Sequence, residues 1–292
     1  MKTIFSIIIC CLAFQLSGFA RTNRALVVAI SNYPDHSSWN TIHADNDRKI
    51  LLPVLRKQGF SEKNISVLKD EQATKKQIVT ALQLLGKNAK PGDVVFIHFS
   101  CHGQQMEDDN GDEPDGLDES LVPYDAKMFF NSGKYEGENH LRDDELEKYL
   151  LAIRKKLGNK GNLIVSLDAC HSQSGSRGDE EEEEFVRGTA VIFSRNAGYK
   201  GTNTKEYKDV PLVQTNGLSP LTVLSACKSY QNNYEYKADN GIYYGTLTYA
   251  ICSLDNQYLI LTNYIQWLNE LKKRTKQFMS RQEAIFETTY LE

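Results

Sequence analysis

Short apolar runs rich in β-branched residues alternate along the chain with stretches whose apolar residues recur at helical spacing. Strands are predicted at 25–31, 64–69, 94–100, 162–167 and 221–225, and helices at 44–58, 74–88, 141–157, 245–252 and 263–277. Thr74 is expected to cap the second helix, because its hydroxyl can accept a hydrogen bond from the first turn. Alternating strands and helices form parallel sheets with both faces covered, so the pattern predicts an α/β fold with a mostly parallel central sheet.

The first twenty residues do not follow this alternation of strands and helices. Lys2 precedes a nearly continuous apolar run over 4–16, and small residues follow up to Ala20. This arrangement is typical of a secretory signal peptide, and the run is too short to span a bilayer comfortably. A short membrane anchor is the alternative. We expect residues 1–20 to be removed from an exported protein, periplasmic or extracellular and without stable membrane insertion, and residues 21–292 to form one domain.

Composition narrows the classes of function. The net charge of −4 gives no reason to expect nucleic acid as a partner. Cleavage after residue 20 would leave four cysteines, which are too sparse and irregularly spaced for a disulfide scaffold or a CxxC zinc site. They are Cys101, Cys170, Cys227 and Cys252. Because an exported protein has kept a few isolated cysteines, each of them is a candidate for a reactive thiol.

Two predicted strands end in residues that carry chemistry. The third strand ends with the sequence SCHG over 100–103, and the fourth ends with DACHS over 168–172. If these strands are neighbours, His102 and Cys170 face each other, because parallel strands lie about 4.8 Å apart. An imidazole activates a thiol by taking its proton, and backbone N–H groups at such turns can hold an oxyanion. Gly103 suits a turn of this kind.

Other interpretations of these residues remain open. A histidine or cysteine at a strand end often has only a structural role. A metal site built from Cys101 with His102, or from Cys170 with His171, is disfavoured because adjacent residues on a strand point to opposite faces. By the same alternation, Asp168 shares a face with Cys170. A carboxylate there is suited to binding a substrate cation and poorly placed to activate a thiol.

The order of elements and three motifs, SCHG, GDEPDGLDESLVPYD and DACHS, resemble the caspase-fold peptidases and specifically the metacaspases, over Ala25 to Cys252. The resemblance implies a caspase-like three-layer sandwich. It also implies that Cys170 is the nucleophile and His102 the general acid and base. The N–H groups of Gly103 and Cys170 would then form the oxyanion hole, and the chemistry would need no cofactor.

The same resemblance implies an acidic S1 pocket, formed by Asp47, Ser100 and Asp168. Two carboxylates in one pocket imply polypeptide substrates with Arg or Lys at the cleavage site. Together with the expected signal peptide and the Cys170–His102 pair, this implies a secreted cysteine endopeptidase. A clostripain-like or gingipain-like peptidase is an alternative with the same preference for basic residues. An inactive caspase-fold binding module is a second alternative. A serine hydrolase is disfavoured because the sequence contains no GxSxG elbow.

The segment 107–119 carries eight acidic residues and no basic one, and it is expected to be a surface loop. Hard cations prefer several oxygen ligands, so the loop is a candidate calcium site, although it does not fit the EF-hand template. A solvated acidic loop is the alternative. The candidate ligands are Asp108, Asp109, Asp112, Asp115 and Asp118.

The segment 173–217 is expected to be a flexible linker, because it is long and begins with small and acidic residues. An enzyme that cuts after basic residues could cleave itself there. Arg187 and Arg195 flank an apolar patch at 190–193 that is able to pack, so other sites are favoured. The favoured self-cleavage sites are Arg177, Lys200, Lys205 and Lys208.

Overall fold

The structure is a computed structural model that describes residues 21–170, 185–202, 214–229, 231–254 and 263–289. The expected signal peptide, residues 1–20, lies outside the described residues. So do three of the favoured self-cleavage sites, Arg177, Lys205 and Lys208. Among the described residues, no helix has both the length and the apolar character needed to cross a bilayer.

The described residues form eleven strands and five α-helices. The strands are β1 Asn23–Ala29, β2 Ile65–Lys69, β3 Val94–Ser100, β4 Gly103–Glu107, β5 Leu117–Leu121, β6 Leu141–Arg142, β7 Asn162–Asp168, β8 Leu221–Ser225, β9 Glu235–Lys237, β10 Tyr243–Gly245 and β11 Ile285–Thr288. The helices are α1 Ala44–Lys57, α2 Lys75–Asn88, α3 Asp143–Leu157, α4 Thr246–Cys252 and α5 Tyr264–Phe278. The Thr74 hydroxyl accepts a hydrogen bond from the N–H of Gln77, so the predicted cap of α2 is present.

Six strands form the central sheet in the order β11-β8-β7-β3-β1-β2. All neighbours in this sheet are parallel except β11, which runs antiparallel to β8. The predicted α/β fold with a mostly parallel sheet is therefore confirmed. The sequence pattern did not predict the edge strand β11, whose four residues are only partly buried.

Helices cover both faces of this sheet and make three layers. Apolar side chains of α2 and α3 pack with one set of strand residues, including Ile97 and Val165. Those of α1, α4 and α5 pack with the opposite set, including Phe96 and Ile164. Because neighbouring residues of a strand point to opposite faces, β3 and β7 contribute to both cores. This packing holds the carboxyl ends of both strands in place.

The acidic segment is only partly a loop. β4, β5 and β6 form a small antiparallel sheet, and the loop that joins β4 to β5 spans 108–116. The prediction of a surface loop is therefore wrong for 117–119, which belong to β5. Asp118 is buried in that strand and makes an ion pair with Arg142.

Part of the predicted linker, residues 185–202, is packed against the domain. Val186 forms an antiparallel bridge with Tyr234, and Phe193 forms a parallel bridge with Met106 of β4. The Phe193 ring also packs against Tyr135. The apolar patch at 190–193 thus packs onto the domain and fixes the residues before it.

Candidate active site

The catalytic pair predicted from the sequence lies at the ends of two adjacent strands. Ser100 of β3 is directly paired with Asp168 of β7. His102 and Cys170 each follow two residues later and are buried, with 2% and 0% of their surface exposed. The sheet order thus brings these two residues to one edge, as expected from the motifs.

The surroundings of His102 favour a neutral ring with one defined tautomer. Its Nε2 atom lies 2.9 Å from the carbonyl oxygen of Asn40, which can only accept, so Nε2 carries the proton. The Nδ1 atom is buried without a hydrogen-bond partner among the described residues. Trp39 and Tyr33 pack on the ring at centroid distances of 5.0 and 5.3 Å. Burial lowers the pKa of His102 to about 4, so at neutral pH Nδ1 is a free base.

The Cys170 thiol is oriented by a backbone carbonyl. Its Sγ atom donates to the carbonyl oxygen of Gln231 at 2.7 Å, and Cys227 Sγ contacts the same oxygen at 3.4 Å. A hydrogen bond with Cys170, together with burial, raises the pKa of Cys227. Burial also raises the pKa of Cys101 to about 12, and that thiol lies in the α2–α3 core. The raised pKa values of Cys101 and Cys227 are the opposite of those of a reactive thiol, which must ionise easily.

The predicted oxyanion hole holds a carbonyl group of the chain itself. The carbonyl oxygen of Arg187 accepts hydrogen bonds from the N–H groups of Cys170 at 2.9 Å and Gly103 at 3.3 Å. The next residue, Gly188, lies against Cys170, because a methyl group added there would be 3.1 Å from the Cys170 Cβ. The peptide bond between Arg187 and Gly188 therefore lies beside Cys170.

The Arg187 side chain fills the pocket predicted from Asp47, Ser100 and Asp168. One guanidinium nitrogen lies 2.7 Å from Asp47, 2.8 Å from the Ser100 hydroxyl and 3.6 Å from Asp168. All these groups are fully buried. The structure therefore brings the three predicted pocket residues together around one cation.

Glu235 is a third carboxylate of the pocket, and sequence reasoning missed it. Its Oε1 atom lies 3.1 Å from Nε and 2.9 Å from the second terminal nitrogen of Arg187. Burial acts to raise the pKa of Glu235, but Arg187 and His43 outweigh it and lower the pKa to about 2. Glu235 follows an irregular stretch, so no periodicity or motif identifies it in the sequence.

Backbone and side-chain donors hold the other two carboxylates in place. Asp47 accepts from the N–H of Gly245 at 2.8 Å and from Ser100 at 2.7 Å. Asp168 accepts from the N–H and the hydroxyl of Thr248, at 2.8 and 2.6 Å. Gly245 leaves the pocket open, because a methyl group there would overlap an Asp168 oxygen and lie 2.5 Å from Arg187. A side chain at residue 245 would thus displace the carboxylate or the cation.

The electrostatics of the pocket match a guanidinium ion. Burial alone would lower the pKa of Arg187, but Asp47, Asp168 and Glu235 raise it above its ordinary value. Burial, with a further contribution from Asp168, raises the pKa of Asp47 to about 6 even though Arg187 opposes that rise. Three carboxylates around a single cation leave the buried site with an excess of negative charge, which disfavours an acidic side chain there.

The acidic loop brings together some of its candidate calcium ligands. Carboxylate oxygens of Asp108, Asp112 and Asp118 lie within 4.8 Å of one another. Asp109 instead contacts Arg142 at 3.4 Å, and Asp115 accepts from the N–H of Leu117, the first residue of β5, at 3.1 Å.

Two further acidic residues near this loop were not predicted. Burial, and then the charge of Asp143, raise the pKa of Glu119 to about 8. One carboxylate oxygen of Asp143 is buried without a hydrogen-bond partner among the described residues. Oxygen ligands of this kind fit a hard cation such as Ca²⁺, which would also relieve the mutual repulsion of the carboxylates.

Of the favoured self-cleavage sites, the described residues include Lys200 alone. Its neighbours hold that segment to the acidic loop: the Tyr199 hydroxyl donates to the carbonyl of Gly116 at 3.1 Å, and the N–H of Thr202 donates to that of Asp115. Lys200 is exposed, whereas Arg187 occupies the pocket.

Comparison with known proteins identifies the family of this chain. The family model of the caspase domain matches residues 22–288. Metacaspase-1 of Mycosarcoma maydis is 25% identical over 89% of this chain and 68% of its own length, and metacaspase-1 of Eremothecium gossypii is 26% identical over 90% and 63%. Metacaspase-1 of Plasmodium falciparum is 31% identical over 73% of this chain and 31% of its own length. The chain thus spans about two thirds or less of these relatives.

A solved structure shows the same fold. The crystal structure of a protein from Geobacter sulfurreducens aligns with a TM-score of 0.60, at 20% identity, and covers 93% of this chain and 94% of that one. At this identity the likeness concerns the fold alone. The caspase-domain match extends over nearly the whole chain, and the curated relatives are metacaspases. The chain therefore belongs to the caspase-domain peptidase family, as a metacaspase-like member.

Proposed function

We propose that the protein is a cysteine endopeptidase that cleaves polypeptides after Arg or Lys. One observation carries the proposal: Arg187 lies in the acidic pocket while its carbonyl oxygen accepts from both N–H groups of the oxyanion hole. A structural arginine needs a counter-ion, but it has no need to place its carbonyl group beside a cysteine. The arrangement is that of a substrate bound in cis.

The geometry supports a thiol mechanism. Nδ1 of His102 takes the proton of the Cys170 thiol, and the thiolate attacks the carbonyl carbon of the basic residue. The negative charge that develops on the carbonyl oxygen is held by the N–H groups of Gly103 and Cys170. The protonated ring then gives its proton to the leaving amine, and the peptide bond breaks. Water, deprotonated by His102, hydrolyses the thioester and releases the new carboxyl end.

Substitution of the catalytic pair tests this mechanism. Cys170→Ala removes the nucleophile and is expected to abolish cleavage of an Arg peptide. His102→Ala is expected to lower kcat by about 100-fold or more, because general base catalysis is lost. Iodoacetamide labelling separates an enzyme from an inactive binding module, which would show no preferential, His102-dependent labelling of Cys170. Near-normal turnover by either purified variant would contradict the mechanism.

We expect Arg to be preferred over Lys. A guanidinium reaches Asp47 and Glu235 with different nitrogens at the same time, as Arg187 does. A lysine ammonium is a single point charge and cannot reproduce that fork. Peptides that differ only in Arg or Lys before the bond measure the preference, and an Asp peptide should not be cut. Faster cleavage of the Asp peptide would contradict the pocket.

The same contacts support self-cleavage between Arg187 and Gly188. The sequence favoured Arg177 and Lys200–Lys208, whereas the contacts favour Arg187. Mass spectrometry of fresh wild-type protein should show a cut after residue 187 that is missing in Cys170→Ala. Arg187→Ala is expected to block this cut, and Arg195→Ala is the matched control, because Arg195 is exposed and pairs with Glu136. A cut after 187 in the Cys170→Ala protein would show that another protease makes it.

Calcium stimulation and export are two further parts of the proposal. If carboxylates of the acidic loop bind Ca²⁺, activity should fall with a chelator and return with Ca²⁺ but poorly with Mg²⁺, which demands a smaller octahedral site. Equal activity under all three conditions would leave the loop as solvated surface.

If residues 1–20 are a signal peptide, the protein recovered from the producing cell should begin at Arg21, and a start at Met1 would contradict export by this route.

A further inference from the structure

The residues before Arg187 bind an edge of the domain as a short strand. The N–H of Arg187 donates to the carbonyl of Asn233 at 3.0 Å, and the N–H of Glu235 donates to the carbonyl of Phe185 at 2.9 Å. Between them, Val186 forms an antiparallel bridge with Tyr234. Because side chains alternate along a strand, Phe185 and Arg187 lie on the same face. The backbone pairing therefore fixes the position of the side chain two residues before the basic residue.

Two rings form a corner around Phe185. The Phe185 ring meets His43 edge to face, with centroids 4.5 Å apart and planes at 90°. It meets Tyr243 at 4.8 Å and 69°. His43 and Tyr243 also stack on each other at 5.2 Å, so the two walls of the corner support one another. Edge-to-face contact at these distances is the preferred geometry of aromatic pairs.

The aromatic corner is connected to the acidic pocket through Glu235. The N–H of His43 donates to Oε1 of Glu235 at 2.8 Å, and the His43 ring lies 2.5 Å from Oε2. Oε1 also contacts the Arg187 guanidinium. Glu235 thus binds the basic side chain and orients His43. Tyr243 is held independently, because it pairs with Lys237 in the β9–β10 hairpin.

We propose that His43 and Tyr243 form a second specificity site, which takes an aromatic side chain two residues before the Arg or Lys of a substrate. The inference rests on the proposed function and adds a substrate class to it: extended segments of the form aromatic–any residue–Arg. A basic side chain is disfavoured there, because Lys237 already lies 5.4 Å from the Tyr243 ring and would repel a second cation. A small side chain would lose the edge-to-face contacts that Phe185 makes with both rings.

Fluorogenic peptides test the site. Phe-Val-Arg, Ala-Val-Arg and Lys-Val-Arg substrates are compared on the full chain after self-cleavage, and on Arg187→Ala, in which no basic side chain from residue 187 enters the pocket. We expect kcat/KM to be about tenfold higher for the Phe peptide than for the Ala peptide, because burying a ring against two others stabilises the complex. Tyr243→Ala should reduce this ratio to below about threefold, whereas Tyr243→Phe, which keeps the ring, should preserve it.

The outcomes separate the two proposals. Equal cleavage of the Phe and Ala peptides, or faster cleavage of the Lys peptide, would overturn the aromatic site and leave the peptidase intact. Cleavage of none of the peptides by either protein would overturn both. A second measurement does not depend on added peptide: Phe185→Ala should slow the cut after Arg187 by about tenfold, and Phe185→Tyr should not. An unchanged rate of self-cleavage in Phe185→Ala would contradict the site in cis.

Discussion

Two acidic regions in the described part of the chain, the pocket and the loop at 108–116, differ in how their carboxylates are held. In the pocket, Asp47, Asp168 and Glu235 are shielded from water, and surrounding donors and one guanidinium fix their oxygens. In the loop, Asp108 and Asp112 are more accessible, and Asp108 accepts from three N–H groups of its own loop. A sequence shows both regions as acidic residues. Burial and fixed orientation strengthen the hold of the pocket on the Arg187 guanidinium, because charges that are exposed to water interact only weakly.

The largest effect expected from testing this difference comes from Gly245. A methyl group at residue 245 would overlap Asp168 and the guanidinium, so Gly245→Ala should lower kcat/KM for an Arg peptide by about 100-fold or more and block self-cleavage. Gly86→Ala is the matched control, because the added methyl would meet Ile153 at an ordinary 3.6 Å. Normal cleavage of Arg peptides by Gly245→Ala would contradict a substrate guanidinium that lies beside Gly245 and Asp168.

Removing one charge from each region gives the direct comparison. Asp168→Asn keeps the shape of the pocket but turns an amide group toward the donors of Thr248 or toward the cation. A buried charged hydrogen bond is worth about 2 kcal/mol, so kcat/KM should fall about 30-fold. Asp112→Asn removes one exposed charge, and with a chelator present it should change kcat/KM by less than about twofold. Equal effects of the two substitutions would contradict the distinction between the regions.

The pH dependence of activity sharpens the account of the pocket. The pKa of Asp47 lies at about 6, above its ordinary value, because of burial first and then Asp168. With a guanidinium in the pocket, Asp47 therefore loses its charge as pH falls through about 6, and kcat for Arg peptides should decline there. Since the pKa of His102 is about 4, its protonation adds a decline only at lower pH. A profile of kcat from pH 4.5 to 8 should lose the step near 6 in Asp47→Asn.

The smallest effect is expected in the loop. If Ca²⁺ binds there, Asp112→Asn should raise the Ca²⁺ concentration needed for half-maximal activity and leave activity at saturating Ca²⁺ nearly unchanged. Glu136→Gln is a control outside the cluster, since Glu136 is one partner of the exposed Arg195 pair. A drop in activity at saturating Ca²⁺ would assign Asp112 a role beyond ion binding.

Most of the fold could be predicted because the core strands carry a strong local signal. The bounds predicted for the strands at 94–100 and 221–225 agree with β3 and β8. β5 was missed because its two acidic residues, Asp118 and Glu119, continue the acidic loop in the sequence, although it is paired with both β4 and β6. β11 was missed because its residues are only partly buried and its pairing with β8 is long-range. Tertiary context outweighed local propensity in both cases.

The candidate site also contains residues that the sequence reveals and residues that it does not. Asp47, Ser100 and Asp168 could be found because a motif marks them, whereas Glu235 lies in a strand of three residues without such a signal. Arg187 was set aside because the apolar patch that follows it is able to pack. The patch does pack, through Phe193 on β4, and this packing helps to hold Arg187 at the site. From the sequence alone, the packing of this patch was a reason to exclude Arg187 as a cleavage site.

The backbone pairing of residues 185–187 with 233–235 has a consequence for which proteins can be cut. A segment that occupies this edge must present its own N–H and C=O groups sideways, to Asn233 and Glu235. A helix cannot do so, because its N–H and C=O groups are already bonded to each other along the helix axis. The proposed peptidase would therefore recognise the conformation of the substrate as well as its side chains. Arginines within stable helices should be spared, and the same residues should become cleavable once those helices unfold.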